Sequence, residues 1–414
     1  MLKIVKGIAV GIAATLPILC GVAHGQESVR IGYIDPLSGG GASAGEKGLK
    51  TFQYMADEIN AQGGILGHKV EIVPFDSKAN SQESLVQAQK AVDAGIHFIT
   101  QGHGSAVGAA VEDFANKNNA RNPGKEVLYF NFAAVDPSMT NEKCSYWHFR
   151  WDANTDIKME ALTNYMKGVP EIKKVYLINQ DYSHGQSVRT QARKMLGEKR
   201  PDIQVVGDEL HPLLKVVDFS PYIAKIKASG ADSVVTGNWG QDIGLLLKAA
   251  ADSGLKVKWF TYYGGEAGGP TAIKQAGLDH QVFLVNDGLA NSGDPDAAAF
   301  EKAFRAKVGL SLWYRRAVNE MRMFKLAAEK ANSIEPLKVA AALEDLKMNV
   351  LGGGEGIMRK DDHQFFLPIY ISSFGSLSEK EPFDEENTGW GWHLVAKIDT
   401  PHTILPTTCK MTRP

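Results

Sequence analysis

Long apolar runs are scarce in this chain. Beyond residue 25 no stretch is long and apolar enough to span a bilayer, which excludes a bundle of membrane helices. Cysteine is scarcer still, with 3 among 414 residues, and none has a partner at metal-ligand spacing. No pair of the 11 histidines is spaced H-x-x-x-H, so no zinc site is expected. Excess positive charge is missing too: 45 basic residues face 47 acidic ones, which argues against a nucleic-acid partner. No low-complexity tract, Gly/Ser linker or short repeat interrupts the chain.

What is present begins with a secretory signal. Lys3 and Lys6 precede an uncharged apolar run from Gly7 to Ala23, and Ala23-His24-Gly25 offers small residues at the positions a signal peptidase reads. Residues 1–25 are therefore expected to be removed, leaving a soluble, exported protein. The loss of Lys3 and Lys6 leaves a mild negative charge. Of the cysteines, Cys144 and Cys409 then remain. An oxidising compartment permits a disulfide between them, the alternative being two free thiols.

The mature chain is too long for one ordinary core. Strand-like runs alternate with helical patterns at 29–34, 70–75, 96–100 and 127–131, then again at 175–179, 203–206, 233–237, 259–262 and 282–285. Alternation of this kind implies parallel sheets covered on both faces. The helix after the first strand carries Leu49, Phe52, Ala56 and Ile59 on one stripe and ends at Gly63-Gly64. Asn80 to Glu83 reads as a capping box, Ser220-Pro221 as an N-cap with proline in the first turn, and Gly254 as a C-cap. The expected architecture is α/β: two similar doubly wound parallel-sheet lobes joined by a multi-strand hinge. The first lobe takes 26–150 plus about 281–350, the second 151–280 plus about 351–414. The segment from Gly352 reads as loops and short strands.

Three enzyme-like patterns are incomplete. Gly40 to Lys47 lacks the P-loop spacing and places Glu46 where phosphate would lie. Gly102-His103-Gly104 with Gly108 follows the third strand rather than the first, and no acidic residue closes the next strand. Ser105 does not sit in G-x-S-x-G. Gly102 to Ser105 reads better as a strand-to-helix turn whose N–H groups face a small anion. The small residues Ala133-Ala134-Val135 let a ligand approach the backbone after the fourth strand. The Pro/Ser/Gly loop after the first strand, with Ser38, lies where open α/β sheets bind ligands. Trp239, flanked by Asn238 and Gly240, reads as a ligand platform, while Arg315 and Arg316 read as solvated helix charges.

The opening I-G-Y-I-D-P-L-S-G-G-G-A-S-A-G (31–45), with D-F-S-P-Y-I-A-K-I-K-A-S-G-A-D (218–232) and M-R-K-D-D-H-Q (358–364), resembles the leucine/isoleucine/valine-binding family of periplasmic ABC-importer solute-binding proteins, over about 28–400. The resemblance implies a type I periplasmic binding protein. It implies that Gly104-Ser105 and Ala133 to Val135 hold a ligand's carboxylate and amine. It puts His184 at the family's ligand-stacking tyrosine and Trp239 at a second aromatic. The family's acidic residue for the ammonium falls near Gly264 to Glu266, where Glu266 is the carboxylate available. The ligand implied is a hydrophobic or branched-chain amino acid; an aromatic carboxylate or a small amide such as urea is the alternative, and a secreted α/β enzyme a distant third. A monomer that works with importer membrane subunits and carries no cofactor is expected.

Overall fold

A computed structural model describes residues 1–2 and 28–414. The expected signal segment lies outside the described residues, apart from Met1 and Leu2. Among the described residues no helix is long and apolar enough to cross a membrane.

The first lobe follows the expected alternation: β1 (Val29–Asp35), α1 (Ala42–Ala61), β2 (Val70–Asp76), α2 (Ser81–Asp93), β3 (Phe98–Gln101), α3 (Ser105–Arg121) and β4 (Leu128–Asn131). A short strand not foreseen, β5 (His148–Arg150), pairs with β4. The sheet order is β2-β1-β3-β4-β5, with every pairing parallel. This order reverses direction at β1/β3, and the loops after those strands open into the crevice where such sheets bind ligands.

The second lobe runs α4 (Thr155–Lys167), β6 (Lys174–Gln180), α5 (Ser183–Lys199), β7 (Gln204–His211), α6 (Ser220–Ser229), β8 (Ser233–Thr236), α7 (Gln241–Asp252), β9 (Lys258–Thr261), α8 (Gly269–Gln275) and β10 (Val282–Asn286). Then α9 (Pro295–Val308), α10 (Arg315–Ala331) and α11 (Pro336–Leu343) follow. The rest is β11 (Lys347–Asn349), β12 (Glu355–Met358), β13 (Phe365–Phe366), β14 (Ile369–Ser376) and β15 (Trp390–Ile398). The second sheet is ordered β15-β14-β10-β9-β8-β6-β7, and β14 and β15 join it antiparallel. The tail read as short strands thus contributes two full ones. Strands β11-β12-β13 form a small third sheet.

Two lobe boundaries differ from expectation. β10 bonds to β9 in parallel register, so the return to the first lobe comes after Asn286, not near 281. There α9 packs Phe300 and Phe304 on Tyr54 of α1, and α10 packs Phe324 on Phe98 and Phe130. The extreme tail also leaves the second lobe: Thr407 donates to the Thr140 carbonyl, and Cys409 is bonded to Cys144.

The chain crossings carry buried charge. Arg315 and Arg316 are buried rather than solvated, because their helix starts at the hinge. Arg315 pairs with Glu301 at 2.9 Å, and Arg316 reaches Asp287 at 3.1 Å and Asp152 at 3.3 Å. Lys158 completes the group on Asp152 at 2.7 Å. In the 358–364 turn Arg359 pairs with Asp362, and Gln364 accepts from Arg150 Nε.

Most helix ends match their sequence signals. The Asn80 side chain caps α2 by accepting from Glu83 N–H, and Gly254, at φ +67°, follows α7 just past its last residues. For α6 the cap shifts by one: Phe219 is the boundary residue, and Asp218 accepts from Ser220 N–H. The lobes repeat one device. A β-carbon on Gly45 would lie 1.7 Å from the Pro36 carbonyl oxygen, and one on Gly185 1.8 Å from that of Gln180. In each lobe, glycine lets the helix start close against the end of the lobe's first strand.

Candidate functional site

On the first lobe, β1 ends in Asp35, whose carboxylate is fully buried. It accepts from the Tyr33 hydroxyl at 2.9 Å and the His103 N–H at 2.9 Å, and lies 2.6 Å from His103 Nδ1. These bonds fold the turn after β3 back over β1. Gly104 then adopts φ +90°, and α3 starts at Ser105 with its first N–H groups unpaired within the helix. The loop after β4 is shaped by Asn131, whose side chain accepts from Ala133 and Ala134 N–H and donates to the Ala134 carbonyl. Ala133 and Val135 consequently face the crevice. Ala134 points the other way, its methyl against Gly108.

The second lobe contributes loops after β6, β8 and β9. Tyr182 is extended at the start of α5 and accepts from Trp239 Nε1 at 2.7 Å. Burial raises its phenol pKa strongly. Trp239 is anchored through its carbonyl by Gln180 Nε2 at 3.0 Å. The turn from Tyr263 to Gly269 is closed by Glu266 N–H on the Tyr263 carbonyl and Gly269 N–H on that of Glu266. This presents Glu266, whose carboxylate accepts from Gly240 N–H. The side chain is only 2% exposed. Burial pushes its pKa above the ordinary glutamate range, while the His103 ring and the Gly240 N–H pull it partway back.

These groups enclose a small, nearly filled cavity between the lobes. It is lined by His103, Gly104, Ser105, Ala133 and Val135 on one side. Tyr182, Trp239, Tyr263 and Glu266 line the other. The His103 and Trp239 rings, one from each lobe, pack against each other at its wall, tilted, with centroids 5.7 Å apart. The lobes are in contact at its rim: a β-carbon on Gly40 would lie 2.9 Å from Gln241, and one on Gly240 3.2 Å from the Gly40 carbonyl oxygen. A larger groove between α2 and α3, with Val86 and Phe114 in its wall, lies on the outer face away from these loops.

Of the residues expected in the site, Gly104, Ser105, Ala133, Val135, Trp239 and Glu266 meet at this cavity. Ser38, Ala134 and His184 do not. Ser38 is exposed and donates to Asp76 at 2.6 Å. His184 lies in the first turn of α5, aimed at the hinge: its nitrogens lie 3.1 Å from Thr155 Oγ1 and 3.2 Å from the Gly237 carbonyl oxygen. Burial and the Lys158 charge lower its pKa to about 4, so it is a neutral brace. Gly264 is held on Thr261 by its N–H, two residues short of the carboxylate. Sequence reasoning missed His103 and Tyr263 as lining residues and passed over Tyr182 for His184. The His103 signal was its place inside the glycine turn.

Trp239 is the largest apolar wall of the cavity. Trp239→Ala should weaken ligand binding several-fold, since an aromatic contact contributes about 0.5–1.5 kcal/mol beyond area burial. Calorimetry on a variant with an unchanged circular dichroism spectrum reads this; unaltered affinity would place the ring outside the site.

The periplasmic binding protein family model matches residues 28–376. A Leu/Ile/Val-binding protein homolog 4 of Brucella melitensis biotype 1 is 31% identical over 415 aligned residues, 98% of each chain. The closed conformation of the leucine-, isoleucine-, valine-, threonine- and alanine-binding protein of Brucella ovis superposes with a TM-score of 0.83 at 30% identity, covering 94% of this chain and 100% of that one. The fold is also that of a Rhodopseudomonas palustris BisB5 ABC-transporter solute-binding protein in complex with 3,4-dihydroxybenzoic acid. That protein gives a TM-score of 0.76 at 18% identity, over 90% of this chain and 98% of its own.

Proposed function

The chain belongs to the periplasmic binding protein family, and from that premise we propose that it is the periplasmic solute-binding component of an ABC importer, capturing a hydrophobic or branched-chain amino acid between its lobes. Glu266 carries this reading. It is a buried carboxylate from the second lobe, in one small cavity with the Gly104-Ser105 turn of the first. The α3 N-terminus suits a carboxylate, Glu266 suits an ammonium, and Trp239 with Val135 suits an apolar side chain between them. A ligand touching both lobes favours the closed arrangement by its greater affinity for it. The closed shape is what the importer's membrane subunits would receive. Export through a cleaved signal segment fits this location.

A second reading keeps the fold and replaces the amino acid with an aromatic carboxylate. The rings of Tyr182, Trp239 and Tyr263 around the cavity favour it; a buried Glu266 with no ammonium to pair opposes it.

One ligand should bind per chain and be released unchanged. A thermal-shift screen of amino acids, aromatic acids and amides on the protein lacking residues 1–25 should show its largest rise with leucine, isoleucine or valine, because a ligand bound only by the native state stabilises it. Mass spectrometry of the recovered ligand should return the compound supplied. A chemically altered product would overturn the binding-only reading.

A further inference from the structure

The carboxylate assigned to a ligand's ammonium sits on a segment with little stiffness of its own. Between Tyr263 and Gly269 the chain reads Y-G-G-E-A-G-G, and glycine is the residue with the most conformational freedom to lose. The bonds that close the turn are local: Glu266 N–H on the Tyr263 carbonyl at 3.0 Å and Gly269 N–H on the Glu266 carbonyl at 2.9 Å. A binding group is only as well placed as the structure that supports it. Further support comes from two distant segments.

The first is the loop between β14 and β15. Glu386 Oε1 accepts from Gly268 N–H at 2.7 Å. Its Oε2 accepts from Thr271 N–H at 3.1 Å and from the Thr271 hydroxyl at 2.6 Å. One side chain thus gathers three donors just beyond Glu266. Its own backbone is strained to do so. Glu386 has φ +53° and Asn387 follows at +54°, a region that side chains avoid and that persists only where the surroundings enforce it. Here Glu385 N–H on the Trp390 carbonyl, Thr388 N–H on the Glu385 carbonyl and Gly389 N–H on Asp384 Oδ2 enforce it.

The second segment belongs to the first lobe. A β-carbon on Gly265 would lie 2.2 Å from Trp313 Cζ3, so the indole rests on the residue next to Glu266. Trp313 lies on the link between α9 and α10 and is 7% exposed. The same part of the first lobe holds the Glu386 loop. Arg305 of α9 donates to the Asp384 carbonyl at 2.6 Å and to Asp384 Oδ1 at 3.2 Å, and Ser311 donates to Glu385. The first lobe therefore bears on the turn and on the loop that fastens it. Neither Glu386 nor Trp313 is among the side chains lining the cavity.

We infer that Glu386 is a positioning residue for the ammonium site: with Trp313 bearing on Gly265, it holds the glycine-rich turn so that Glu266 stands ready in the cavity, and lobe closure tightens that hold. This rests on the reading of Glu266 as the ammonium's partner. Glu386 touches no ligand and acts through Glu266.

The test is a double-mutant cycle read by calorimetry with leucine, on the protein lacking residues 1–25. Glu386→Ala should weaken leucine about tenfold in the wild-type background and less than about threefold in the Glu266→Gln background, because a residue that works through another has little left to lose once that one is changed. Equal losses in both backgrounds, or no loss, would overturn the inference. If Glu386→Ala does not fold, Glu386→Gln, which turns an amide donor toward these donors, should show the same dependence on background. A second measurement needs no ligand. The amides of Gly268 and Thr271 should exchange with solvent at least about tenfold faster in Glu386→Ala, with those of β9 unchanged. If leucine does not bind the wild type, the amino-acid reading falls; faster exchange at these two amides would still leave Glu386 as the holder of the turn. Unchanged exchange there sinks the inference whatever the ligand.

Discussion

Removing the Cys144–Cys409 bridge should lower the melting temperature by several degrees and free the C-terminal tail. The bridge joins residues 265 apart in sequence, with Cα atoms 5.7 Å apart. It fastens the tail, which has left the second lobe, onto the loop between β4 and β5 of the first. Loop-closure entropy for so long a segment gives an upper figure of about 5 kcal/mol. The realised effect is smaller wherever the lobes unfold separately, because only the step that frees the tail feels the cross-link. The tail's other contacts include Thr407 on the Thr140 carbonyl, Thr408 N–H on Asn141, Leu405 accepting from Arg359, and Arg413 on Glu344, the Lys360 carbonyl and the Tyr146 ring. The double variant Cys144→Ser, Cys409→Ser should therefore show faster hydrogen exchange across 405–414 and early melting of the first lobe. In the wild type lacking residues 1–25, thiol titration after denaturation without reductant should find no free cysteine. Two titratable thiols would remove the bridge from the account.

The alternation of strands and helices was legible because both sheets are parallel and covered. Their strands read as short apolar runs, and their helices are bounded by Asn80, Gly63-Gly64 and Gly254. What escaped was structure specified by distant partners. β5 is three residues, His148 to Arg150, with no apolar run; it exists because β4 offers an edge and because Arg150 N–H finds the His363 carbonyl. His103 sits among glycines and reads as part of a turn. Its place in the cavity wall is set by Asp35 and Tyr314, 68 and 211 residues away. His184 was chosen over Tyr182 by alignment to a motif. The backbone decides otherwise: Tyr182 is extended and projects into the crevice, whereas His184 already lies in the helix and turns toward Thr155. Arg315 and Arg316 look like surface charges until the chain crossings bring Glu301, Asp287 and Asp152 around them.

Glu266→Gln should cost an amino-acid ligand about 2–5 kcal/mol, the range for breaking one side of a buried charge pair. The carboxylate is nearly inaccessible, and Gly240 N–H already aims at it, so it is held in place before any ligand arrives. An ammonium entering the closed cavity loses its hydration and needs that negative charge in return. The glutamine keeps the size and the bond to Gly240 but removes the charge, so the loss reports electrostatics rather than packing. Burial has already raised the pKa of Glu266. Protonation therefore begins at a higher pH than for an ordinary glutamate, and amino-acid affinity should fall as the pH drops through that raised value. In the variant this part of the pH dependence should vanish. An amine-free aromatic acid behaves oppositely: Glu266→Gln relieves a like-charge conflict, and its affinity should hold or rise. Calorimetry of leucine and benzoate on both proteins separates the two ligand classes in one experiment. Leucine binding that survives Glu266→Gln unchanged would mean that the ammonium is held elsewhere in the cleft.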